Sequence, residues 1–153
     1  MGGDTVNTDP IRRFEAEHEV ALAALERLER AAAGLRAGEA AEVHLASARE
    51  VHGLLTGAVR EHNEAEERAL FPLLGEEAPL DAFLEEHQTL WSLESDLAAA
   101  IDRTDRDRVA RLAYGIVDLL RAHIRRENEV LFPMARALLG AEGLATVTRR
   151  RGY

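Results

Sequence analysis

The stretch HNEAEERALFP, from His62 to Pro72, returns as HIRRENEVLFP, from His123 to Pro133. Both reduce to H-x-x-x-E-x-x-x-L-F-P. An imidazole and a carboxylate four residues apart lie on one face of a helix, about one turn from each other, and that is a metal-ligand spacing. The Leu-Phe that follows is apolar. The proline lacks a backbone donor and clashes with the preceding turn, so it is expected to stop the helix. Each copy reads as a helix end with a polar pair on its buried side.

The rest of the chain supplies helices around these two. Asp9 and Pro10 make a helix start, an N-cap followed by a first-turn proline. Phe14, His18, Leu22, Leu25 and Leu28 recur at helical spacing as far as Gly34 and Gly38, which predicts a first helix over residues 10–36. A second resumes at Glu39 and runs through Val43, Val51, Leu55, Ala58, His62, Glu66 and Leu70 to Pro72. Gly53 and Gly57 weaken it by about 1 kcal/mol each relative to alanine. Pro79 opens a third helix with inner face Phe83, His87, Leu90, Trp91, Glu94 and Leu97, fading near Ile101. Thr104 with Asp107 resembles a capping box for a fourth, which carries Leu112, Ile116, Leu119, Leu120, His123, Glu127 and Leu131 to Pro133. Met134 to about Arg149 read as short helical pieces interrupted at Gly140 and Gly143. The predicted fold is all-α, an up-down-up-down antiparallel four-helix bundle over residues 10–139. A disordered tail over residues 1–9 precedes it, and a short C-terminal helix and tail over residues 140–153 follow.

Composition narrows the chemistry. The 153 residues suit one domain with a real core. With no cysteine, disulfides, thiolate metal sites, iron-sulfur clusters and cysteine nucleophiles are excluded. A net charge of -9, with every basic residue an arginine, argues against nucleic-acid or anionic-membrane partners. The opening residues are polar and no apolar run is expected to reach the length of a bilayer span, so the protein is read as soluble and cytoplasmic.

Counting depth from the prolines brings the motifs together. His18 lies eight residues after Pro10 and His87 eight after Pro79, while His62 lies ten before Pro72 and His123 ten before Pro133. In an antiparallel bundle these prolines share one end, so at about 1.5 Å of rise per residue all four imidazoles fall within a turn of one level. Glu66 and Glu127 sit one turn nearer that end. FEAEH at Phe14 to His18 is matched by FLEEH at Phe83 to His87, so the chain reads as two similar hairpins. A lone histidine on an apolar face is usually a satisfied core residue, but four with two glutamates in one layer is not how a stable core is built. Each buried carboxylate costs several kcal/mol unless compensated. No arginine is expected on the inner faces at this level, and a cation is the simplest compensation. Six nitrogen and oxygen ligands exceed the need of one tetrahedral zinc and suit a pair of iron ions, with manganese or zinc as substitutes.

At these residues the chain resembles the hemerythrin-like, or HHE cation-binding, domains, from the first helix to Pro133. The resemblance implies a left-handed four-helix bundle with a non-heme di-iron centre, oxo- or hydroxo-bridged. One iron would be held by His18 and His62, the other by His87 and His123, with Glu66 and Glu127 bridging. It further implies binding or sensing of O2, NO or peroxide, or handling of iron. Where the oxygen carriers have H-x-x-x-H on the third helix, Trp91 takes the place of the second histidine and cannot ligate.

His52 lies about 15 Å along the helix from His62, and His44 is farther, so neither reaches the centre. Glu17, Glu86 and Glu94 are read as structural or solvated. Trp91 is expected to pack against the site and limit solvent access, and Arg149 to Arg151 to form a solvated tail. Ferritin-like di-iron proteins use paired E-x-x-H motifs, and here only Glu15 with His18 matches. Iron-cluster repair proteins usually carry a cysteine-bearing segment that this chain lacks. Three functions survive: a module binding O2 or NO, an enzyme consuming peroxide or oxidising ferrous iron, and a bundle whose metal is structural.

Overall fold

A computed structural model describes residues 9–152, and every regular element among them is helical. The predicted tail over residues 1–9 lies outside the described residues except for Asp9, whose Oδ1 accepts from the backbone N–H groups of Ile11 and Arg12 and caps α1 (Pro10–Arg36). Gly38, at φ 77°, ends α1 in the left-handed region, and there the Glu39 N–H reaches back to the Gly34 carbonyl at 3.0 Å.

The second rod is continuous but not uniformly α-helical. It comprises α2 (Ala41–Leu54), a π-helical turn at Leu55–Val59, α3 (Arg60–Ala65), a second π-turn at Glu66–Leu70 and α4 (Phe71–Leu74). The third rod is α5 (Leu80–Asp102). The fourth comprises α6 (Arg106–Arg126), a π-turn at Glu127–Leu131 and α7 (Phe132–Arg151). Contacts run from α1 to α2, α2 to α5, α5 to α6 and α6 back to α1, closing a four-membered bundle.

Two local expectations are corrected. Pro72 and Pro133 do not stop their helices, because each sits just inside a new helical segment, immediately after a π-turn. The extra residue in that wide turn opens the ladder where the pyrrolidine ring would otherwise strike the preceding carbonyl. Both π-turns begin on the motif glutamates, Glu66 and Glu127. Nor does Thr104 cap the fourth rod. It occupies the left-handed region at φ 54°, closing the end of α5, and Asp105 caps α6 through the Arg108 N–H.

Gly140 (φ 60°, ψ -172°) bends α7, a conformation closed to residues with a Cβ. Beyond the bend, Val147 and Arg151 are buried, so the arginine run is not simply a solvated tail. A window within Arg106–Arg151 has mean hydropathy 1.4, long and apolar enough by length and composition alone to cross a membrane, whereas no run was expected to approach that length. The same segment is bent at Gly140 and carries Arg136, which pairs with Asp9 and Glu15.

The core falls into two apolar clusters. The larger is aliphatic, including Leu25, Leu28, Val51, Leu97, Ile116 and Val117. The smaller holds all four phenylalanines of the chain, Phe14, Phe71, Phe83 and Phe132, with Ile11, Leu70 and Leu131. Between them lies a buried polar layer.

Candidate metal centre

That layer consists of His18, His62, Glu66, His87, His123 and Glu127, each no more than 6% exposed. The residues form two overlapping groups: His18, His62, Glu66 and Glu127 in one, and Glu66, His87, His123 and Glu127 in the other. Within each group the candidate ligand atoms lie within 4.8 Å of one another. All six residues singled out in the sequence are thus brought together, with both glutamates common to both groups.

Each carboxylate divides its oxygens between the two imidazole pairs. Glu66 places Oε2 3.4 Å from His62 Nε2 and Oε1 3.4 Å from His87 Nε2. Glu127 places Oε1 2.8 Å from His18 Nε2 and 3.9 Å from His62 Nε2, and Oε2 3.1 Å from His123 Nε2. Several of these atoms have no hydrogen-bond partner among the described residues despite full burial: Nε2 of His62, His87 and His123, both oxygens of Glu66, and Oε2 of Glu127. Buried polar atoms left unmatched are costly, and six converging on one layer of nitrogen and oxygen donors fit cations placed between them.

The imidazoles are aimed from behind. His62 Nδ1 lies 2.9 Å from Glu17, His123 Nδ1 2.9 Å from Glu86, His87 Nδ1 2.7 Å from Glu67, and His18 Nδ1 2.7 Å from the Asn128 side-chain oxygen. An Nδ1–H donated outward leaves the Nε2 lone pair directed into the layer. Glu17 and Glu86 are therefore not idle neighbours, as the sequence suggested, and Glu67 and Asn128 were not singled out there at all. The available signal was the glutamate before histidine in both FEAEH and FLEEH. Arg151, its side chain buried, pairs with Glu17 and lies over the Phe14 ring, and Arg126 pairs with Glu86.

Each phenylalanine packs on one imidazole. Phe14 meets His62 edge-on at 5.1 Å and Phe83 meets His123 edge-on at 5.4 Å. Phe132 stacks on His18 at 5.2 Å and Phe71 on His87 at 6.1 Å. Within the pairs, His18 and His62 lie 4.8 Å apart and His87 and His123 4.9 Å, centroid to centroid.

Electrostatically the layer favours positive charge. Burial would push Glu127 up, but the imidazoles of His123, His18 and His62 outweigh it and hold the carboxyl well below its usual range. Burial likewise works against the charged imidazoles, yet the Glu66 charge with Glu127 and Glu17 raises His62 well above its ordinary value. Glu127, Glu66 and Glu86 push His123 up to about 9. Glu66 and Glu67 raise His87.

The remaining candidates stay outside. His44 pairs with Glu39, and His52 lies 3.0 Å from the Glu94 carbonyl. Glu94 is buried, but its partner is Arg60 at 2.8 Å. Trp91, expected to pack against the site, is instead 52% exposed with the Arg60 guanidinium over its ring. A cavity of about 440 Å³ reaches the layer between α1, the second rod and α6. Its floor includes His18, His62 and His123, and its walls include Val20, Ala21, Val59, Leu120 and Ile124.

The family model described as the hemerythrin HHE cation binding domain matches residues 9–135. No curated protein and no solved structure matches the chain.

Proposed function

Because the chain belongs to the hemerythrin HHE cation-binding domain family, we propose that the layer holds two iron ions and binds or senses O2, NO or peroxide there. His18 and His62 would hold one ion and His87 and His123 the other, with Glu66 and Glu127 spanning both. The observation that carries this reading is the division of each carboxylate's oxygens between the two imidazole pairs. Manganese or zinc would satisfy the same donors. An up-down-up-down course of the rods and a soluble, cytoplasmic setting belong to the same reading.

Iron in this layer would supply one-electron redox chemistry and coordination of a small ligand. The protein's part is to orient and to exclude. Glu17, Glu86, Glu67 and Asn128 turn the Nε2 atoms inward. The phenylalanines close the layer on the side of the smaller cluster, and the cavity beside Val20 and Val59 offers a largely apolar approach suited to a small neutral molecule. Trp91 cannot add a nitrogen, so each position has two imidazoles.

Anaerobic metal analysis followed by spectra under O2, NO and peroxide tests the reading. Two irons per chain and a reversible visible band with O2 or NO are expected. Peroxide consumption lost in Glu66→Ala would instead identify an enzyme. Full iron occupancy without ligand response would leave the metal a structural role, and failure to take up metal would sink the proposal.

A further inference from the structure

Resting on that metal-binding reading, we propose that the two metal positions are unequal, and that Glu67 makes the His87/His123 position the first to fill. The argument comes from where the repeat is broken. Glu66 and Glu127 correspond in the two copies of the motif, and the residue after each turns back to an imidazole Nδ1. In the first copy it is Glu67, 2.7 Å from His87; in the second it is Asn128, 2.7 Å from His18. The geometry is the same and the charge differs.

An imidazole whose outer N–H donates to a carboxylate is a stronger donor through its other nitrogen than one donating to a neutral amide oxygen. The other two partners are both carboxylates, but each is shared with an arginine: Glu86 with Arg126 and Glu17 with Arg151. Among the described residues no arginine pairs with Glu67, and the ion partner within reach of its carboxylate is His87. The His87/His123 position is therefore backed by two carboxylates, and the His18/His62 position by one carboxylate and one amide. An outer partner of this kind is typically worth about 10–100-fold in metal affinity, and that is the separation expected between the positions.

Glu67 is a positioning residue, and because its side chain is 43% exposed its substitution should leave the fold intact. Two binding steps alone would not identify its role, since the first cation lowers the negative charge available to the second. Which histidines respond first does. The apo-protein is titrated with Zn2+ while imidazole NMR signals and calorimetric affinities are followed. The first equivalent is expected to shift His87 and His123 and to leave His18 and His62 nearly unmoved. Glu67→Gln should weaken the tight step by about 10–100-fold, and the exchange Glu67→Asn with Asn128→Glu should reverse the filling order. Simultaneous filling of all four imidazoles, an unaltered tight step in Glu67→Gln, or an unreversed order in the exchange would overturn the inference while leaving the two-metal reading standing. No zinc uptake at either position would overturn both.

Discussion

Replacing His62 and His123 together with alanine is expected to abolish binding of the metal pair. The substitution removes one imidazole from each group and leaves His18 and His87 as single nitrogen donors. Loss of a direct ligand at both positions should exceed the roughly 10–100-fold cost of losing an outer partner at either. The fold has a separate stake, because Glu66 and Glu127 are fully buried and lose imidazole partners at the same time. An uncompensated buried carboxylate costs several kcal/mol or takes up a proton. Circular dichroism should therefore accompany the metal analysis, with His62→Gln and His123→Gln as milder single changes. Two equivalents of metal retained on a folded double variant would refute the ligand assignment.

Phe132→Ala should produce the largest loss of stability from a single apolar truncation, about 3–5 kcal/mol. The side chain is fully buried, stacks on His18 and lies 6.0 Å from the Phe14 ring. It follows the π-turn that begins at Glu127, so the cavity would open beneath both an imidazole and a carboxylate of the layer. Val130→Ala, at a side chain 47% exposed, should change stability by no more than about 0.5 kcal/mol. Denaturant unfolding of the metal-free variants measures both, and a loss below about 1 kcal/mol for Phe132→Ala would show that this ring is not a principal support of the layer.

The six candidate ligands were legible because two regularities agree. Helical periodicity puts each histidine and glutamate on an inner face, and prolines near the same end of the bundle mark depth along it. The outer partners were harder to read. Glu17 and Glu86 each precede a histidine by one residue, which is about 100° around the helix, and only the rotation of the neighbouring helix decides whether they turn to solvent or to an imidazole. Glu67 and Asn128 pose the same problem from the other side. The π-turns before Pro72 and Pro133 are not legible in the sequence because proline is a helix stop only while the ladder before it stays strictly α-helical. Arg151 was misread because three arginines in a row resemble a solvated end until the bend at Gly140 carries the last of them to Glu17.

The division of the core into two clusters has a consequence for cooperativity. Apolar packing ordinarily couples the parts of a small domain, but here the aliphatic cluster and the phenylalanine cluster meet across four imidazoles and two carboxylates. Without metal, opening at one end need not disrupt the other, and amide exchange should show two tiers of protection. Cations shared by ligands from all four rods would rivet the halves into one unit, so metal should slow exchange most in the less protected half and merge the tiers. Two tiers persisting at full metal occupancy would show that the layer separates the halves without joining them.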